Sequence, residues 1–246
     1  MSIPKIIHYC WFGGGAISPE NRKCMESWKK YCPDYKIMAW NEQNFDISTN
    51  RYAQQAYEAK RYAFVSDYVR LAVLYEYGGI YLDTDVELVR PLDELLELPG
   101  FMGFQTNNEV ATGLGFGARK GNSVVQALLR DYDALDFLKA DGSADLTPCP
   151  ERNTRVLQAL GVRKDGTRQS IAEMEIFPAE YFCPMDLYSR ELRVTPKTYS
   201  IHRYAESWKP KPSAVSRILQ RLLKKHYYTW YCPLRGRIEG RLRKRT

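Results

Sequence analysis

Tyr77-Gly78-Gly79-Ile80-Tyr81-Leu82-Asp83-Thr84-Asp85-Val86-Glu87 delivers two carboxylates, two residues apart, straight after an apolar run that follows a glycine pair. Side chains at i and i+2 of an extended segment lie on one face, so on a strand Asp83 and Asp85 point their oxygens into one small volume. Two such charges repel unless something positive sits between them. Mg²⁺ or Mn²⁺ suits that position, because hard cations take carboxylate oxygens and complete their shell with water and a substrate's phosphates. The expected ligand is therefore a nucleotide. The plain alternative for an Asp-Thr-Asp at a strand end is a solvated turn. Context favours the ligand, since alternating α/β chains bind theirs outside the carboxyl ends of the strands.

Upstream, Tyr52 to Tyr77 reads as one long helix, with Ala56, Val65, Val69, Ala72 and Val73 at helical spacing and Gly78 as its stop. Asp67 and Arg70 share a face of it, either as an ordinary surface ion pair or as part of the site that the neighbouring carboxylates suggest. Further upstream, Lys5 to Trp11 reads as a strand that ends in the turn Gly13-Gly14-Gly15. That turn is not a P-loop, since no Gly-Lys-Ser/Thr follows. Ser18 then caps a helix whose first position is Pro19 and which runs to about Tyr31, and Tyr35 to Trp40 is a second strand. Downstream, strands are expected at Gly100 to Gln105 and Leu114 to Ala118, and a helix at Ser123 to Leu138. Residues 139–153, rich in Asp, Gly, Pro and Ser, read as a mobile loop or lid. The alternation supports a mainly parallel sheet.

At 246 residues and 44% apolar, the chain can bury one large core with a small appendage. No run approaches the roughly 20 apolar residues that span a bilayer, and the N-terminus lacks a signal-peptide pattern, so a cytoplasmic location is expected. Cys10, Cys24, Cys32, Cys149, Cys183 and Cys232 have no C-x-x-C spacing and read as reduced packing residues. The charge is local. Between Lys209 and Thr246 there are twelve Lys/Arg and one acidic residue, Glu239, a charge of +11 within a chain of +7; residues 1–208 are near −4. Val215, Ile218, Leu219, Leu222 and Leu223 recur there at helical spacing among Arg217, Arg221, Lys224 and Lys225, with Tyr227, Tyr228, Trp230 and Tyr231 following. A basic amphipathic helix with an aromatic cluster suits an anionic membrane surface. Packing on the rest of the chain and nucleic-acid binding are the alternatives.

Ala63, Ser66-Asp67, Arg70 and Gly78 to Asp85, together with the opening Ile3-Pro4-Lys5-Ile6-Ile7-His8-Tyr9-Cys10-Trp11-Phe12-Gly13-Gly14, resemble glycosyltransferase family 32. The resemblance is strong over residues 3 to about 120, patchier to about 208, and absent from the last segment. It implies a GT-A fold, an α/β Rossmann-like mixed sheet flanked by helices, with a single catalytic domain at residues 1–208 and a basic helical appendage at 209–246. It implies that Trp11 stacks on the nucleobase, that Asp67 and Arg70 contact ribose and donor-sugar hydroxyls, and that Asp83 reaches ribose or metal through water. Asp85 would bind the metal directly. Gly79, Tyr81, Ser207 and Trp208 complete the implied nucleotide-sugar set. His202 is the implied third metal contact, although Ile201-His202 stands where many members carry a double histidine. Asn107 to Gly117 resembles the acceptor-side loop.

The activity implied is metal-dependent, retaining transfer of a hexosyl unit from a nucleotide sugar, with UDP expected over GDP, to a saccharide acceptor. A lipid-linked acceptor in bacterial surface or capsular polysaccharide synthesis is expected, with the enzyme peripheral on the inner face of the membrane and not bound to nucleic acid. No carboxylate nucleophile is evident, which implies same-face attack through an oxocarbenium-like state. GDP-mannose-dependent mannosyl transfer is the nearest alternative. A haloacid dehalogenase-type phosphatase wants Thr or Val where this chain has Glu87. A basic nucleic-acid-binding module would leave Asp67, Arg70, Asp83 and Asp85 without a task.

Overall fold

The computed structural model describes residues 2–187 and 189–205. β1 (Ile6–Cys10), α1 (Pro19–Tyr31) and β2 (Lys36–Trp40) form the first crossover unit. Ser18 Oγ accepts the Asn21 amide at 3.1 Å, and Pro19 has no amide to satisfy, so α1 starts where its sequence places it. β1 pairs in parallel with β2 on one side and with β3 (Gly79–Tyr81) on the other.

The segment before β3 is two helices, not the one expected: α2 (Arg51–Glu58) and α3 (Tyr62–Tyr77). The apolar spacing runs through the break. Lys60, however, adopts a left-handed φ of 56°, and the Arg61 amide folds back to the Ala56 carbonyl at 2.8 Å, which closes α2 with a left-handed C-terminal turn.

Beyond β3 the sheet becomes mixed. β4 (Val86–Leu88) leaves it, and β5 (Gly100–Phe104), β6 (Val110–Ala111), β7 (Phe116–Ala118), β8 (Gln169–Ile171) and β9 (Met174–Phe177) give the order β2-β1-β3-β7-β5-β9-β8, with β6 on β5. Parallel pairing is confined to β1 with its two neighbours and to β5 with β9; the other pairs are antiparallel. The mainly parallel sheet expected from the alternation is thus corrected. Neighbours joined by short turns, such as β8 and β9, have no crossover helix with which to run parallel. The result is a Rossmann-like half joined to an antiparallel half, the GT-A arrangement.

α4 (Ser123–Asp133) is capped by Asn122, whose Oδ1 accepts the Val124 and Val125 amides, and stops short of Leu138. Residues 139–153 do not form a free lid. The Lys139 amide bonds the Ser143 carbonyl at 2.8 Å, the Asp145 amide bonds that of Phe137 at 2.7 Å, and α5 (Cys149–Ala159) begins within the segment. Its Asp, Gly, Pro and Ser content marks tight turns and a helix start. Asn107 to Gly117 is likewise packed, with residues 110–117 buried along β6 and into β7. α6 (Ala179–Phe182) follows β9, and β10 (Ser200–His202) pairs antiparallel with β4, setting His202 opposite Val86. The strand period divides the core into two layers: Ile80 packs with Ile7, Trp28 and Phe101, while adjacent Tyr81 packs with Val69 and Phe116.

The five described cysteines are free and buried, as expected of packing residues. Among the described residues no helix is long and apolar enough to cross a membrane. Ser207, Trp208, Cys232 and the basic segment 209–246 lie outside the described residues.

His8 is wholly buried in β1, accepting from Trp40 Nε1 at Nδ1 (3.0 Å) and facing the Gly78 carbonyl at Nε2 (2.8 Å). Those partners define the neutral tautomer with its proton on Nε2. Burial pushes its pKa down to about 4, against the pull of the Gly78 carbonyl. Because the folded value lies below the unfolded one near 6.5, this neutral histidine contributes stability above that pH and loses it as pH falls towards 4. Asp67, described below, acts oppositely in the same window, so the difference between wild type and His8→Gln isolates the effect. That difference is expected to change by about 3 kcal/mol between pH 7 and pH 4, read by urea unfolding. A pH-independent difference would show that His8 does not titrate in the fold.

Candidate active site

β3 ends at Tyr81, and the chain then turns, with the Val86 amide donating to the Asp83 carbonyl at 2.9 Å. Asp83 and Asp85 are therefore brought together by a turn and not by the extended i, i+2 geometry expected of a strand. The turn is held from outside. Asn21 Nδ2 of α1 donates to Thr84 Oγ1 at 2.9 Å, Trp28 Nε1 donates to the Val86 carbonyl at 2.7 Å, and the Asp83 amide donates to the Gly113 carbonyl at 3.2 Å.

The β4–β10 pairing brings His202 to this turn, with Nε2 3.2 Å from Asp85 Oδ1. Asp85 Oδ2 accepts the Ala205 amide at 2.8 Å, and its carbonyl accepts that of Arg203 at 2.9 Å. Ligand atoms of Asp83, Asp85 and His202 all lie within 4.8 Å of one another. Burial opposes charge on Asp85, but the His202 charge and the hydrogen bonds from His202 and Ala205 outweigh it and hold the carboxyl at about 2. Reciprocally, burial opposes charge on His202, yet Asp85 pulls its pKa up. His202 Nδ1 is buried without a hydrogen-bond partner.

A second cluster adjoins the first through Asp83. Arg70, 5% exposed on α3, donates from Nη2 to Asp83 Oδ1 and is ion-paired with Asp67 Oδ1, each at 3.1 Å, with its guanidinium 4.9 Å above the Tyr81 ring. The α3 pair is thus a buried anchor for Asp83 and not a surface ion pair. Burial raises the Asp67 pKa to about 6, against the pull of Arg70.

Two of the expected contact residues have internal tasks. Tyr81 is 1% exposed and donates its hydroxyl to Asp83 Oδ1 at 3.0 Å. Gly79, with φ 112°, begins β3 at the opposite end from the carboxylates, and a Cβ there would sit 2.8 Å from the Ile6 carbonyl and 2.9 Å from His8 Nε2. Trp11 follows β1 at its carboxyl end, partly exposed, with Nε1 bonded to the Gly15 carbonyl at 2.5 Å.

Sequence reasoning did not find Asn21, Thr84 or Gly113. A buried Asn on an amphipathic helix carries no local mark, and Gly113 owes its identity to a distant residue: a Cβ there would lie 2.0 Å from Asp83 Oδ2. Gly113→Ala is expected to push Asp83 off Arg70 and lower turnover about a hundredfold, with a smaller loss of stability. Retained turnover in Gly113→Ala would show that Asp83 tolerates displacement.

Residues 18–101 match the family described as "glycosyltransferase sugar-binding region containing DXD motif". Over those residues the chain resembles the DXD-containing glycosyltransferases. The matched region contains Asn21, Asp67, Arg70, Asp83 and Asp85, while His202 lies beyond it. The chain is 30% identical over 151 residues to inositol phosphoceramide mannosyltransferase 3 of Schizosaccharomyces pombe, an alignment covering 55% of this chain and 39% of that protein. It therefore spans about two fifths of that relative's length. It is 25% identical over 221 residues to an uncharacterized glycosyltransferase of Acanthamoeba polyphaga mimivirus, covering 85% of this chain and 84% of the relative. Among solved structures, the PaToxG glycosyltransferase aligns with a TM-score of 0.48 at 21% identity over 64% of this chain and 69% of that one.

Proposed function

We propose that this protein is a glycosyltransferase that binds a nucleotide sugar through a divalent cation held by Asp83, Asp85 and His202, and transfers its hexosyl unit to a saccharide acceptor with retention of configuration. The observation that carries the reading is the convergence of two carboxylates and an imidazole within 4.8 Å beside a buried Arg70–Asp67 pair. The donor set fits such an ion: Asp85 is ionised, Asp83 has a 28% exposed side chain, and His202 brings a nitrogen to oxygen-rich surroundings. Imidazole among the ligands favours Mn²⁺ over Mg²⁺. When bound, the cation supplies Lewis-acid stabilisation of the departing nucleoside diphosphate.

The chain's own residues do the positioning. Arg70 keeps Asp83 facing the ion and places Asp67 beside it for sugar hydroxyls, and Trp11 offers an indole face to the base. Among the described residues, Asp67 and Asp83 both engage Arg70, so neither is a free nucleophile, which supports same-face transfer over a glycosyl-enzyme. UDP is the expected nucleotide. The S. pombe relative's name specifies a mannosyl donor and a lipid acceptor, which supports a lipid-linked acceptor here and keeps GDP-mannose as the second reading. We place a catalytic domain at residues 1–208 and assign the +11 charge of residues 209–246 to an anionic membrane surface, with the enzyme on its cytoplasmic face in surface polysaccharide synthesis.

A thermal-shift screen of UDP, GDP and their sugars with and without Mn²⁺ tests this. One nucleotide class at a hundred times its Kd should raise the melting temperature by about 5 °C or more, only with metal. Stabilisation by GDP-mannose alone would move the assignment to the second reading. No stabilisation by any of them would overturn both.

A further inference from the structure

The face of Arg70 turned away from the carboxylates meets an unusual partner. Nη1 lies 3.4 Å from Thr112 Oγ1 and 3.7 Å from the sulfur of Cys149, the first residue of α5. One turn along α5, Asn153 sends Nδ2 to both of these atoms, to Thr112 Oγ1 at 3.1 Å and to Cys149 Sγ at 3.1 Å. Thr112 Oγ1 and Cys149 Sγ are 3.3 Å apart, and the Cys149 thiol adjoins the Asp67 carboxyl, whose charged form it favours.

Following the hydrogens fixes the direction of each bond. Thr112 Oγ1 receives from Arg70 and Asn153, so its own hydrogen goes to the Cys149 sulfur. The adjoining Asp67 carboxylate is the acceptor left for the thiol hydrogen when Asp67 is ionised. Arg70, Thr112, Cys149 and Asp67 thereby close a ring of contacts, although the buried Arg70 Nε finds no partner in it. Asn153 is the member outside the ring, touching neither Arg70 nor a carboxylate. Its Oδ1 is buried without a partner, which costs stability. Flipping the amide would forfeit both donations, which is why the orphaned oxygen is tolerated. Burial pushes the Cys149 thiol up to about 12, so it does no nucleophilic chemistry.

We propose that Cys149, fixed in orientation by Asn153, is a positioning residue that holds Arg70 and Asp67 in the geometry that receives the donor sugar. The kinetic part of this rests on the reading of function given above; the structural part does not. Cys149→Ser keeps a hydroxyl able to accept from Thr112 and donate to Asp67, whereas Cys149→Ala removes both bonds with little change in volume.

Two measurements decide it. In ¹⁵N NMR, the Arg70 guanidinium of the wild type and of Cys149→Ser should show separate, slowly exchanging Nη signals, which average in Cys149→Ala and in Asn153→Ala. In kinetics, Cys149→Ala should lose about tenfold or more in kcat/KM for the sugar nucleotide while its Kd for the nucleoside diphosphate stays near the wild-type value, and Cys149→Ser should recover most of that loss. Restrained Arg70 signals in Cys149→Ala and Asn153→Ala would overturn the proposal, as would equal kinetic losses in the Ser and Ala variants that track their melting temperatures. A wild type that binds no sugar nucleotide would instead remove the functional reading, and the guanidinium signals would still decide whether Cys149 orients Arg70.

Discussion

Asp85→Asn is expected to lower sugar-nucleotide turnover about a hundredfold or more while leaving the melting temperature within a few degrees of wild type. The side chain is held at about 2, so at neutral pH it carries a full charge in a largely buried place. Asparagine keeps the shape and one oxygen to accept the Ala205 amide, but removes the charge that faces His202 at 3.2 Å. The turn itself survives, because the Arg203 amide bonds the residue 85 carbonyl and Asn21 and Trp28 hold its flanks. Loss of function without loss of fold is the signature of an electrostatic role. Calorimetric titration of Mn²⁺ with UDP should show the affinity lost in parallel. Wild-type turnover by a folded Asp85→Asn protein would sink the metal assignment.

Arg70→Ala should be the most destabilising single change near the site. It leaves Asp67 and Asp83 facing one another with no cation between them and removes the guanidinium from the Tyr81 ring. Breaking a buried pair from one side costs about 3–5 kcal/mol, which for a chain of this size is about 10 °C in melting temperature. The loss has a pH signature. Arg70 pulls both carboxyl pKa values down against burial; without it they rise further above their unfolded values. A carboxyl raised in the fold is stabilised there by protonation, so its contribution is retained in acid and lost as pH climbs through the folded pKa. The gap between Arg70→Ala and wild type should therefore narrow from pH 8 to pH 5 in urea unfolding. An equal gap at both pH values would assign the loss to packing and not to charge.

Much of the first half of the fold was readable locally. Ser18 and Pro19 mark the start of α1, and the apolar runs of β1 and β2 stand next to turn residues, so each element carries its own boundary. The long helix misled because helical spacing continues across Lys60, and the spacing of apolar residues contains no information about one residue's left-handed φ. β8, β9 and β10, of three or four residues each, are too short to show a period and exist because a neighbour offers a ladder.

The residue types of the site divide in the same way. By itself the sequence determined that two carboxylates follow an apolar run after a glycine pair, that Asp67 and Arg70 share a helix face, and that the basic charge is gathered in the last segment. These depend on neighbours along the chain, where spacing dictates geometry. Only the tertiary structure decided that a turn gathers Asp83 and Asp85, that β10 pairs with β4 and so delivers His202, and that Gly113 must lack a side chain because Asp83 occupies its place. Those relations join residues far apart in sequence, and burial against the whole sheet, not any local preference, specifies them.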